Sequence, residues 1–277
     1  MSAARFFFLS LLLLIGTVDA AKALDSPLSP IEELGKRLFF DERLSSPTGQ
    51  SCASCHSPDA RFTNPDKSEP TARGVLPGRF GKRSTPTAMY AAFSPLFHYD
   101  EAEGIYIGGQ FLDGRAPDLE TQAQGPFLNP LEMANPDKAT VVDKVRTADY
   151  ATLFAEVFGS NALDNIDQAF VQIASAIASF ERRGEFAPFS SKYDAFLAGR
   201  AGLSPAEERG LAVFEEPNKG NCAACHPNRP VADGKPPLFT DFSYDNLGVP
   251  RNPNNPWPNV KRAGQSRKCY RMSTGKS

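Results

Sequence analysis

Two five-residue stretches constrain this chain more than anything else in it: Cys52-Ala53-Ser54-Cys55-His56 and Cys222-Ala223-Ala224-Cys225-His226. Residues three apart in a helical turn share a face, so two thiols can reach the two vinyl groups of one porphyrin while the adjacent imidazole approaches the iron. A bare Cys-x-x-Cys also serves as a zinc half-site, a disulfide oxidoreductase centre or a structural disulfide, but none of these needs a His after the second Cys. A zinc ribbon places its Cys pairs about 15–20 residues apart, and these pairs are separated by most of the chain. Each stretch therefore reads as a c-type haem attachment site, with His56 and His226 as the iron ligands.

The 277 residues are enough for two domains with separate cores, and two distant haem sites favour two. We expect a leader at 1–20, an N-terminal cytochrome c-like domain at 21–165 and a C-terminal one at 166–277. The formal net charge of -2 gives no reason to expect nucleic acid or anionic lipid as a partner. Four of the five cysteines belong to the two motifs and only Cys269 is left over, so no disulfide framework is implied. The 24 prolines exceed the roughly 14 that average usage would give, which implies long irregular connections and a core that leans on its cofactors. Arg5, the apolar run from Phe6 to Val18 and the small Ala20 have the pattern of a secretory signal, with an uncleaved anchor as the alternative. Export suits the attachment chemistry and places the mature chain in the periplasm, with no membrane association after cleavage.

Helical spacing recurs at Ile31–Phe40, at Thr140–Phe158 and most strongly at Asp167–Arg183, where Phe170, Ile173, Ala174, Ile177 and Phe180 form one stripe. Ser204-Pro205-Ala206-Glu207 has the form of a capping box. The segments 57–83 and 93–114 read as loops. Glu33-Leu34-Gly35, Phe39 and Cys52 are mirrored by Glu208-Arg209-Gly210, Phe214 and Cys222, as in two copies of one haem-binding unit. The fold class is mainly α, with two cytochrome c-like haem domains and long irregular loops.

Further stretches resemble one family in order and content. They are Leu34-Gly35-Lys36-Arg37-Leu38-Phe39-Phe40-Asp41, Ser51 to His56, Ser84-Thr85-Pro86-Thr87, Asp113-Gly114-Arg115-Ala116, Gln122, Gly125-Pro126, Asn129-Pro130-Leu131-Glu132-Met133, the second haem motif, and Asn246-Leu247-Gly248-Val249-Pro250. Together they resemble the bacterial di-haem cytochrome c peroxidases, including the MauG proteins. The resemblance implies two covalently bound haem c groups, a peroxidatic one at His56 and an electron-transfer one at His226. It implies catalytic roles for Glu132 and Gln122 in the distal pocket, hydrogen peroxide as substrate, a small donor such as a cytochrome c or cupredoxin, and often a homodimer. Chemically, a carboxylate above the iron can carry the proton that heterolysis of the O–O bond requires. On sequence position alone Glu132 is one of 32 acidic residues and would be solvated.

The chain also departs from that pattern. Relatives continue beyond the Asn-Leu-Gly-Val-Pro stretch through a segment that supplies a Met or Tyr to the second iron, so the resemblance implies a truncated or frame-shifted end. Cys269, Tyr270 and Met272 are chemically capable ligands, and spacing selects none of them. Leu112 stands where many relatives carry Trp. Tyr90 stands where they commonly carry a calcium-binding Asn, which puts calcium in doubt. His98, the one histidine outside the motifs, is either a second axial ligand or a surface group. Arg115 is suited equally to a haem propionate or to an ion pair. The leading activity is peroxide reduction, with MauG-like oxidation of a protein partner or simple electron carriage as alternatives.

Overall fold

The computed structural model describes residues 26–230, 235–245, 248, 250 and 252–256. The expected leader at 1–20 and the basic end with Cys269, Tyr270 and Met272 lie outside them. By their contacts the described residues form two units, one centred on 30–181 and including those described from 242 to 256, the other centred on those described within 182–241.

The first unit is built on two helices. α1 (Pro30–Phe40) begins at a proline, carries Glu32 and Glu33 in its first turn and Arg37 in its last, and so matches the helix dipole at both ends. It buries Leu34, Gly35, Leu38 and Phe39. α2 (Cys52–Cys55) is the single turn of the first haem motif. α3 (Leu119–Leu128), α4 (Lys138–Arg146) and α5 (Ala151–Phe158) precede α6 (Ile166–Glu181), whose expected stripe is entirely buried. α6 packs against α1, α3 and α4, with the Phe39 and Phe180 rings edge-on at 5.6 Å and those of Phe127 and Phe170 at 5.9 Å. Each such buried side chain contributes about 1.5–3 kcal/mol. The close approach of α1 to α6 is possible only at a glycine, because a Cβ on Gly35 would lie 1.9 Å from the Ala176 carbonyl oxygen.

A polar network fixes the loop that delivers the first motif. The Asp41 carboxylate accepts two bonds from the Arg43 guanidinium, at 2.8 and 2.9 Å, and one from the Tyr150 hydroxyl at 2.5 Å. Lys144 donates to the Ser45 carbonyl and to Asn135 Oδ1, and the Asn135 amide donates to the carbonyls of Leu44 and Phe127. The loop is thus tied to α3, α4 and α5.

Several elements differ from the sequence reading. The single run expected over 140–158 is two helices, because α4 ends at Thr147, whose N–H returns to Asp143 and Val145 carbonyls, before α5 starts. α3 was not anticipated from the sequence; Pro126 sits near its end and removes only the donor to the Gln122 carbonyl. The segment 93–114 contains a short antiparallel hairpin, β1 (His98–Asp100) with β2 (Ile105–Ile107), turned by Gly104 at φ +71°. The contact-defined units meet at 181/182, and α6 buries its stripe in the first of them.

In the second unit, α7 (Lys192–Leu197) and α8 (Pro205–Glu215) precede a 3-10 turn at Cys222–Ala224. The capping box at α8 is present: the Ser204 hydroxyl accepts from the Glu207 N–H, and the Glu207 carboxylate accepts from the Ser204 N–H at 2.6 Å. Among the described residues beyond Phe186, no large aliphatic or aromatic side chain is buried. Among the described residues no helix is long and apolar enough to cross a membrane.

Candidate cofactor site

The two haem motifs fold alike. In the first, Ser51 precedes the turn of α2 and the His56 N–H donates to the Cys52 carbonyl at 2.8 Å. In the second, the His226 N–H donates to the Cys222 carbonyl, also at 2.8 Å. Each imidazole then meets a phenylalanine carbonyl through Nδ1: His56 with Phe62 at 3.0 Å, His226 with Phe239 at 2.8 Å. Both phenylalanines are left-handed, at φ 52° and 56°. A ring held at Nδ1 by a carbonyl presents Nε2 for coordination, the arrangement that orients metal-bound histidines generally. Phe62 and Phe239 were not singled out from the sequence. The shared signal is a Phe-Thr pair after each motif, at Phe62-Thr63 and Phe239-Thr240.

In the first unit the motif opens into a cavity of about 540 Å³, within the size range of cofactor sites. Its walls include Cys52, Cys55 and His56 together with Gln122 and Glu132, so the five site residues expected in this unit converge. Gln122 comes from α3. Glu132 comes from the turn after it, where the Asn129 side chain accepts the Leu131 N–H and the Asn129 carbonyl accepts the Glu132 N–H, both at 3.0 Å. The Glu132 carbonyl in turn accepts from the Val75 N–H at 2.9 Å.

Electrostatics in the cavity follow from burial. Burial pushes the Cys55 thiol up to about 11, with the nearby Glu132 charge adding to it, and raises Cys52 further. Burial also lowers the pKa of His56, against the Phe62 and Pro86 carbonyls, which favours the neutral imidazole that binds metals. Glu132 is raised by burial, and the Arg115 charge and the Asn129 amide offset part of that. Gln50, 7% exposed, donates to the Arg73 carbonyl at 2.7 Å while its own carbonyl oxygen is buried without a protein partner. Paired thiols on one turn, a neutral imidazole and a cavity of this volume fit a covalently attached haem.

Of the other residues named from the sequence, Arg115 and Leu112 also line the cavity, whereas His98 does not. Arg115 forms an ion pair with Asp113 at 2.6 Å. His98 is exposed on β1, its Nδ1 at 2.8 Å from the Leu96 carbonyl, and does not line the cavity. Leu112 lines the cavity and is 51% exposed. Tyr90 adopts a left-handed conformation at φ 61°. Cys222, Cys225 and His226 lie in the second unit, where Asn228 ties α7 to α8 by donating to the Tyr193 hydroxyl and the Glu215 carboxylate.

The family profile described as di-haem cytochrome c peroxidase matches residues 29–202. The chain belongs to that family. Di-haem cytochrome c peroxidases and MauG proteins are oxidoreductases with two covalently bound c-type haems in cytochrome c-like domains. Among the relatives of this chain, the methylamine utilization protein MauG of Paracoccus denitrificans is 43% identical over 242 residues, 86% of this chain and 60% of that protein. The cytochrome c551 peroxidase of Nitrosomonas europaea is 32% identical over 234 residues, 84% of this chain and 59% of that protein. The crystal structure of the diheme peroxidase BthA from Burkholderia thailandensis superposes with a TM-score of 0.77 at 38% identity, over 86% of this chain and 59% of that one. The chain thus spans 55–60% of the length of the MauG proteins it matches.

Proposed function

We propose that this chain carries the peroxidatic half-reaction of a periplasmic di-haem peroxidase, reducing hydrogen peroxide to water with electrons from a small redox protein. The observation that carries the reading is that Gln122 and Glu132 share one cavity with Cys52, Cys55 and His56. On this reading Cys52 and Cys55 would hold one haem with His56 as its iron ligand, and Cys222, Cys225 and His226 would hold the second. Bound haem would supply the redox chemistry. The residues supply the rest. Gln122 orients the peroxide through its amide, and Glu132 moves a proton from the near to the departing oxygen. Its burial supports that role, because a carboxyl raised toward neutrality can both hold and release a proton.

The test is the peroxide-dependent oxidation of a reduced c-type cytochrome by the haem-loaded protein, measured anaerobically. Rapid donor oxidation is expected. Replacing Glu132 by Gln should leave both haems attached and slow turnover about a hundredfold or more; unchanged turnover removes Glu132 from the mechanism. The 43% identity to a MauG protein favours a second reading, oxidation of a protein partner. Peroxide-induced spectral change at the haems with negligible donor oxidation would select it. Both haems remaining six-coordinate and indifferent to peroxide would instead leave an electron carrier.

A further inference from the structure

In the first unit the carbonyl that meets His56 is fixed by backbone. Phe62 follows His56 by six residues and its N–H donates to the Ser57 carbonyl at 2.7 Å, while the Ser57 N–H donates to the Thr63 carbonyl at 3.1 Å. The Phe62 carbonyl also accepts the Ala88 N–H at 3.1 Å. In the second unit Phe239 follows His226 by thirteen residues, and one side chain on α7 reaches both ends of that longer loop. The Tyr193 hydroxyl donates to the Asn228 carbonyl at 3.0 Å and accepts from the Asn228 amide at 3.1 Å. Asn228 stands two residues past His226, is 2% exposed, and is anchored further by donating to the Glu215 carboxylate at 3.0 Å. At the other end, the Tyr193 ring stands edge-on to the Phe239 ring, with centroids 5.4 Å apart and planes at 64°. Phe239 is left-handed at φ 56°, a conformation that a bulky residue keeps only where its surroundings hold it. Its carbonyl meets His226 Nδ1 at 2.8 Å.

We infer that Tyr193 is a positioning residue for the second iron ligand: by holding Asn228 and Phe239 together it sets the bond between His226 Nδ1 and the Phe239 carbonyl. That bond decides which nitrogen faces the iron and how the ring is turned, and it makes the imidazole a more electron-rich ligand. An electron-rich axial ligand favours oxidised iron, so loosening the bond raises the reduction potential. Burial of Asn228 makes the tie a firm one, because an amide left without partners there is costly. The two halves of Tyr193 act at different ends of the loop, the hydroxyl on Asn228 and the ring on Phe239, so their contributions are separable by substitution. The inference needs haem on Cys222 and Cys225, and it does not depend on which substrate the loaded protein turns over.

The test is a spectroelectrochemical titration of the haem-loaded protein, with paramagnetic resonance of the oxidised form to report how the imidazole is turned. The wave of the second haem is the one lost when Cys222 and Cys225 are replaced by alanine. Tyr193→Leu should raise its potential, so that the reduced-to-oxidised ratio at a fixed potential grows about threefold or more, which is about 28 mV at 59 mV per tenfold. The resonance signal of that haem should change with it. Tyr193→Phe, which keeps the ring and loses both bonds to Asn228, should move potential and signal in the same sense by a smaller amount. If intact mass shows that Tyr193→Leu has lost a haem, Tyr193→Phe decides. The inference is overturned by a second-haem wave and signal that the substitutions leave unaltered, by a first-haem wave displaced as far as the second, or by a parent protein without haem at the second motif. These shifts in a protein that oxidises no donor would support the role of Tyr193 while rejecting the peroxidase reading.

Discussion

Asp41 shows how one buried carboxylate can organise the approach to the site. Burial works to raise its pKa, yet the bonds from Arg43 and Tyr150 prevail and hold it below the usual carboxylate range. A carboxylate depressed in this way stabilises the folded state above its unfolded value of about 3.9, and that contribution disappears as pH falls through the lower folded value. Tyr150→Phe should therefore cost about 1–2 kcal/mol at neutral pH, and the cost should shrink as pH falls below about 4. Denaturant midpoints of the two proteins at pH 7 and pH 3 would show it. A penalty equal at both values would mean that the Tyr150 hydroxyl stabilises the fold independently of the charge on Asp41. The His–Phe carbonyl contacts are a second residue-scale device, and they were hidden in the sequence for a physical reason. A backbone carbonyl depends little on the side chain that bears it, and the two phenylalanines follow their histidines at different spacings, six residues and thirteen.

At the scale of elements, α1 and α6 declared themselves because their apolar residues repeat at helical spacing and bury accordingly. α3 did not: Gly125 and Pro126 interrupt its pattern, yet Asp118 caps it by accepting the Thr121 N–H, and Phe127 is anchored under α6. The haem motifs were legible in full, whereas the convergence of Glu132 and Gln122 with the first motif needed the fold of the 110–133 region. The α1–α6 contact offers a sharp prediction. Gly35→Ala should gain about 1 kcal/mol of helix propensity and lose about 3 kcal/mol or more, since the new Cβ meets backbone that cannot swing aside. A melting temperature at or above that of the parent would show that the two helices are free to separate.

The whole molecule places its apolar core unevenly. The unit centred on 30–181 buries most of its large side chains, while among the described residues the unit at 182–241 buries Phe186 and beyond it has ring contacts such as Tyr193–Phe239 and Phe214–Phe239 in place of a core. On the proposed reading, a haem attached at Cys222 and Cys225 would supply buried apolar surface to this unit. Replacing Cys222 and Cys225 by Ala should make 182–241 exchange its amides rapidly and succumb to protease, with 30–181 still protected. Equal protection in both units would mean that the second unit is stable without its cofactor. Beneath all of this lies the claim that the two Cys-x-x-Cys-His turns each hold a porphyrin. Intact mass of the denatured protein, produced with the haem-attachment machinery, tests it most directly: the account predicts a mass increased by two haems, reduced to one when either cysteine pair is replaced, and a mass equal to that of the bare polypeptide would contradict it.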